Sequence, residues 1–169
     1  MIVASKVAQQ ELRARASESW TVAYLGGHPG APGSAVGLLA VTGSDLVFSG
    51  DATRTGYSLG RRELLTFKLP LLSITEVEGL TGDELKRAPQ NYLFALGFGF
   101  GLGGKRKHPL SSSSKIEALL RVKFADGYGD THDVAFANPP GAFGPFRSFP
   151  RADAITSARF KAREAQPSP

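Results

Sequence analysis

Apolar residues recur at alternate positions through most of the chain up to Phe136, and this period of two is the feature that most limits its fold. Leu65, Phe67 and Leu69 alternate with Thr66 and Lys68, and Leu120, Val122 and Phe124 alternate with Arg121 and Lys123. Successive side chains of a strand point to opposite faces, so this spacing describes strands with one face in a core. Trp20 to Leu25, Val36 to Val41, Leu46 to Phe48 and Ser73 to Glu78 read as further strands. His132 to Phe136 pairs with Leu119 to Phe124 as a hairpin across Asp126, Gly127, Tyr128 and Gly129. The segments between them are rich in turn formers. His28 to Ser34 holds two prolines and two glycines, Gly50 to Gly60 is a polar loop, and Thr42 to Asp45 closes a second hairpin. Pro70, which has no N–H to donate, ends its strand or confines it to an edge.

After Phe136 the period changes. Asn138 to Pro150 contains four prolines and is irregular. Ala152 to Glu164 then shows helical spacing, with Pro150 near its start and Ile155, Ala158 and Ala162 as the apolar stripe. Arg159, Lys161 and Arg163 lie towards its C-terminus, where cations suit the helix dipole. At the other end, Val7 to Ala16 favours a short helix with a thin apolar stripe, expected as a surface or frayed segment. Gly79 to Gln90 reads as a connection with one helical turn. A chain of 169 residues suits one core rather than two. The expected division is an N-terminal extension over 1–19, a single domain over 20–164 and a tail over 165–169.

Tyr92 to Gly104 carries the alternation to an extreme. Tyr92, Phe94, Leu96, Phe98, Phe100 and Leu102 are large, and the residues between them from Ala95 onward are alanine or glycine. As a strand it would have one heavy apolar face, requiring burial, and one nearly bare face that another backbone can approach. Gly99, Gly101, Gly104 and Lys105 also match phosphate-loop spacing. Arg106, however, stands where the magnesium-binding hydroxyl belongs, and Lys107, His108, Pro109 and the serines after them do not open a helix. A buried, glycine-bent strand is the reading the residues favour, and no nucleotide or other cofactor is expected.

The remaining motifs have ordinary explanations. Ser112 to Lys115 fits S-x-x-K but lacks the companion motifs of that mechanism, and a serine run is commonly a solvated loop. His28, His108 and His132 are scattered, without the spacing of a zinc site. Asp126, Asp130 and Asp133 offer oxygens near one turn for weak calcium binding, yet they miss the calcium-loop spacing and are common turn residues. Glu76 and Glu78 share a strand face with nothing beside them that suggests acid–base chemistry. No catalytic motif emerges, and the expectation is a protein that is not an enzyme. The chain has no cysteine, which excludes disulfides and thiolate metal sites and fits a reducing cytosol. Residues 1–19 lack an export-type apolar run, and no stretch reaches the roughly 20 apolar residues of a membrane span.

The charge is localised. From Lys105 to Lys123 there are six basic residues (Lys105, Arg106, Lys107, Lys115, Arg121 and Lys123) and one acid, Glu117, which matches the whole formal net charge of +5. Such a patch draws anions: phospholipid, nucleic acid or an acidic protein. Lys105, Arg106 and Lys107 follow directly on Phe98, Phe100 and Leu102, and cations beside apolar side chains are what membrane-surface binding uses. The ordinary alternative is a charged loop closing a buried strand. Nucleic-acid binding is less favoured, because the aromatic residues do not interleave with the basic strand of Arg121 and Lys123.

The order of elements resembles the pleckstrin-homology-like fold, including its bacterial and GRAM-type members. The resemblance rests on Tyr24 to Pro29, Thr42 to Phe48, Leu69 to Glu78, and the Leu119 to Phe136 hairpin followed by the Ala152 to Glu164 helix. It covers roughly residues 20–164. The stretch from Ala95 to Gly104 and the proline-rich loop depart from it, so no ligand site carries over. The resemblance implies a bent antiparallel sandwich or barrel of seven strands, plugged at one end by the C-terminal helix. It implies an adaptor rather than an enzyme; taken with the basic window and the lack of cysteine, the expected function is a cytoplasmic or membrane-peripheral module that binds an anionic membrane surface or a protein partner. A small enzyme with an unrecognised pocket is the alternative function.

Overall fold

In the computed structural model, the described residues are 2–52, 63–87, 107–108, 111–140 and 149–167. The chain begins with α1 (Ile2–Arg15), followed by β1 (Glu18–Gly26), β2 (Ala35–Val41), β3 (Asp45–Ala52) and β4 (Glu63–Pro70). A single 3-10 turn, Leu71–Ser73, leads into β5 (Ile74–Thr81) and α2 (Gly82–Arg87). Two short strands, β6 (Lys107–His108) and β7 (Ser111–Lys115), precede β8 (Ala118–Ala125), β9 (Thr131–Ala137) and the closing helix α3 (Ala152–Glu164).

Seven strands form one antiparallel sheet in the order β4-β3-β2-β1-β9-β8-β5, and β6 pairs with β7 apart from it. The sheet is not closed: β4 and β5 are its edges. It curls strongly, as the aromatic contacts demonstrate. Phe67 on β4 and Phe136 on β9 are four strand steps apart, about 19 Å in a flat sheet. Their ring centroids are 6.4 Å apart. Tyr24 on β1 lies among Phe48, Phe67 and Phe136 at 5.4, 4.9 and 5.7 Å. The alternation places Trp20, Val22, Leu39, Leu46, Leu69, Leu120, Val122 and Val134 in the same core.

Two glycines make tight strand packing possible on the concave side. Gly37 on β2 and Gly50 on β3 are register partners. A Cβ on Gly37 would lie 2.2 Å from the Ser49 carbonyl oxygen, and one on Gly50 would lie 2.7 Å from that of Val36. Neither position has room for a side chain.

Helix α3 covers the side of the core next to β5. Ile155 is fully buried, and Ala152, Ala154, Ala158 and Ala162 pack beside it. Ala152 lies against Gly79, and Arg159 Nη1 donates to the Thr75 carbonyl at 3.4 Å. The helix occupies the residues expected from its spacing. The outer face of the sheet is covered in two places. Leu12 of α1 packs on Leu38 and Ala40, while Leu85 of α2 packs on Leu119 and Ala135. Among the described residues no helix is long and apolar enough to cross a membrane.

Several expectations need correction. Helix α1 starts at Ile2 rather than Val7 and is docked through Leu12, not merely superficial. β5 continues through Thr81 before α2 begins, so Gly79 is part of a strand. β3 reaches Ala52, past the start of the expected loop. The serine run is strand β7 rather than loop, because pairing with β6 engages the backbone whatever the side chains are. The Tyr92 to Gly104 alternation lies outside the described residues.

Gly37→Ala should destabilise the protein by about 3 kcal/mol, near the upper end for overpacking. Ile155→Ala should cost about 3 kcal/mol through lost burial and a cavity beside α3. Both are read as shifts of the urea midpoint, and wild-type midpoints would contradict the packing described.

Candidate functional site

Of the residues that the sequence singles out for an anionic surface, Phe98, Phe100, Lys105 and Arg106 lie outside the described residues. Lys107 lies in β6, where its register partner is Lys115 of β7.

The other cations of the basic window are used differently. On the outer face of β8, Arg121 Nε donates to Asp133 Oδ1 at 2.8 Å, and its Nη1 reaches Glu78 Oε2 at 3.4 Å. Lys123 Nζ donates to Glu76 Oε2 at 2.9 Å. Strand alternation puts Glu76 and Glu78 on one face, and pairing with β8 sets them opposite Lys123 and Arg121. The hydrogen bond from Lys123, reinforced by its charge, holds the Glu76 carboxyl below its ordinary range. These ladders fasten β5, β8 and β9 together.

A second cluster brings together residues distant in sequence. The loop 27–34 between β1 and β2 turns His28 over the sheet, where its ring stacks on Phe67 of β4 at 4.5 Å and Phe124 of β8 at 5.7 Å. The interplanar angles are 21° and 14°. His28 Nδ1 accepts the Gly30 N–H at 3.1 Å, which fixes the neutral ring's proton on Nε2. Tyr24 anchors the loop from beneath. Its buried hydroxyl accepts the His28 N–H at 2.9 Å and donates to the Ala31 carbonyl at 2.9 Å. Burial pushes the Tyr24 phenol above its ordinary value, partly offset by the His28 N–H.

His132 also packs against Phe124, with ring centroids 5.4 Å apart. Its Nε2 lies 2.8 Å from Asp126 Oδ2. The other oxygen of Asp126 accepts the N–H groups of Tyr128 and Asp130 at 2.8 and 3.0 Å, bracing the β8–β9 turn. The His132 hydrogen bond, with those two amides, lowers the Asp126 pKa. Asp126 and Asp133 thus serve different partners. Among the described residues no three potential metal ligands form a cluster.

Nothing in the residue pattern signals the His28–Phe124–His132 grouping. Its members are spaced irregularly and meet only because the sheet curls. Phe67 and Phe124 were legible as strand residues, but the histidine that stacks with them was not. No protein-family model matches the chain, and no curated protein is significantly similar to it.

Tyr24→Phe should leave the His28 N–H and the Ala31 carbonyl without their partner. A loss of about 1–3 kcal/mol is expected, measured by urea denaturation with an unchanged slope. A neutral substitution would show that the hydroxyl does not hold the loop.

Proposed function

We propose that the protein is a non-catalytic binding module of pleckstrin-homology-like type that engages an anionic membrane surface from the cytoplasmic side. The observation that carries the reading is the division of charge within the basic window. Arg121 and Lys123 are engaged by acids of the sheet, whereas β6 and β7 set Lys107 opposite Lys115. In this reading Lys105, Arg106 and Lys107 supply the attraction, and Phe98 and Phe100 supply apolar insertion next to them. The open seven-stranded order with a helix after the last strand supports the family part of the reading. It does so as fold alone, and fold does not fix function.

A basic residue near an anionic leaflet contributes about 1 kcal/mol. Replacing Lys105, Arg106 and Lys107 by alanine should therefore weaken binding to phosphatidylserine vesicles by roughly two orders of magnitude. The wild-type affinity should fall with added salt and should change little between anionic lipids of equal charge. Phe98→Ser should weaken vesicle binding without lowering the melting temperature. Vesicle binding unchanged in the folded triple variant at low salt would overturn the reading and direct attention to a protein partner at an open sheet edge. A Phe98→Ser variant that loses stability but not vesicle affinity would remove the phenylalanine from the surface and return it to the core.

A further inference from the structure

We propose that His28 is a proton-operated latch: its neutral ring holds the tip of the β1–β2 loop closed, and protonation at Nδ1 opens it. The two ring nitrogens of His28 have different roles. With the Nδ1 lone pair facing the Gly30 N–H, the neutral ring carries its proton on Nε2, and Nδ1 is the one position left to accept another. A proton there turns the acceptor into a donor aimed at a donor. The Gly30 hydrogen bond is then lost, and the backbone at Gly30 has to move.

The surroundings decide which partner moves. The ring is stacked with both Phe67 and Phe124, and aromatic faces attract an imidazolium as well as an imidazole. Protonation therefore leaves the ring in its stack, and the displacement falls on the loop. Tyr24 still ties the loop down through the His28 N–H and the Ala31 carbonyl, so opening is confined to the turn at Pro29 and Gly30. Gly27, at φ +105°, sets the chain into this turn while its backbone passes close to the Asp133 carbonyl.

The groups facing His28 favour its neutral form. From β1 comes the Tyr24 hydroxyl, which accepts from the His28 backbone. From β9 comes His132, a second imidazole, and the Asp126 carboxylate near it is already engaged by His132 and two turn amides. Phe67 and Phe124 bring no charge from β4 and β8, and alternation turns Lys68 and Lys123 to the opposite face. Burial, together with the charge of His132, lowers the His28 pKa below its ordinary value of 6.5. The sign follows. A depressed folded-state value means that the stability contributed by neutral His28 is fully present above the ordinary value and is lost as pH falls through the folded one. The loop tip is closed at neutral pH and opens on acidification.

The test is an NMR titration of the full chain between about pH 8 and pH 5, the range in which histidine changes charge. It follows the His28 ring proton and the exchange protection factors of the Gly30 and Ala31 amides. Protection at Gly30 should fall by about tenfold, the scale of one lost hydrogen bond, with the same midpoint as the His28 ring. Ala31 should change much less. In His28→Asn, whose side-chain oxygen offers an acceptor without a titratable group, Gly30 protection should be flat with pH. In His132→Asn the Gly30 response should persist, with its midpoint moved upward. A His28 ring that titrates while Gly30 protection stays constant would overturn the proposal, as would an equal fall in His28→Asn. Should that variant fail to fold, comparing the two wild-type midpoints decides the matter.

Discussion

The structure depends on aromatic contact across the curl of the sheet. Tyr24, Phe48, Phe67 and Phe136 come from four different strands, and their rings lie 4.9 to 6.4 Å apart. Backbone pairing alone would leave β4 and β9 far apart. The rings bury large apolar areas and prefer tilted contacts, so they reward the bending that hydrogen bonds do not require. The glycine pair at Gly37 and Gly50 permits the close packing on the concave side, and α3 fills the side that the open order of strands leaves next to β5. The β1–β2 loop uses one of these rings: His28 stacks with Phe67 of β4 and also with Phe124 of β8, strands that the sheet order sets far apart.

The polar exterior follows a separate logic. The acids of β5 and β9 face the cations of β8 in cross-strand ladders. Partly exposed pairs of this kind add modest stability, but they set register and absorb charge. In the β6–β7 hairpin the register pairs Lys107 with Lys115, and the proposed surface binding starts from that difference in pairing.

Much of this was legible in the sequence, for identifiable reasons. The β8–β9 hairpin and α3 fell where the periodicity placed them, because each has one clearly apolar face and a clear boundary in turn or proline residues. Pro70 correctly marked β4 as an edge strand. Helix α1 was harder to read. Its docking rests on Leu12, and one leucine gives little periodicity. Strand β7 was hidden because four serines and a lysine carry no alternation, and backbone pairing needs none. The basic window was visible as a sum, but its division was not: the partners of Arg121 and Lys123 lie more than ten residues away and are set by register. The same holds for His28, whose neighbours come from β4 and β8.

The central claim, that the sheet curls until β4 meets β9 through its aromatic side chains, is tested most directly by nuclear Overhauser contacts between selectively labelled Phe67 and Phe136 rings. The account predicts a direct ring-to-ring contact, together with contacts from each ring to Tyr24. Strand-pairing contacts in the order β4-β3-β2-β1-β9 with no contact between Phe67 and Phe136 would describe a flat sheet and would contradict it.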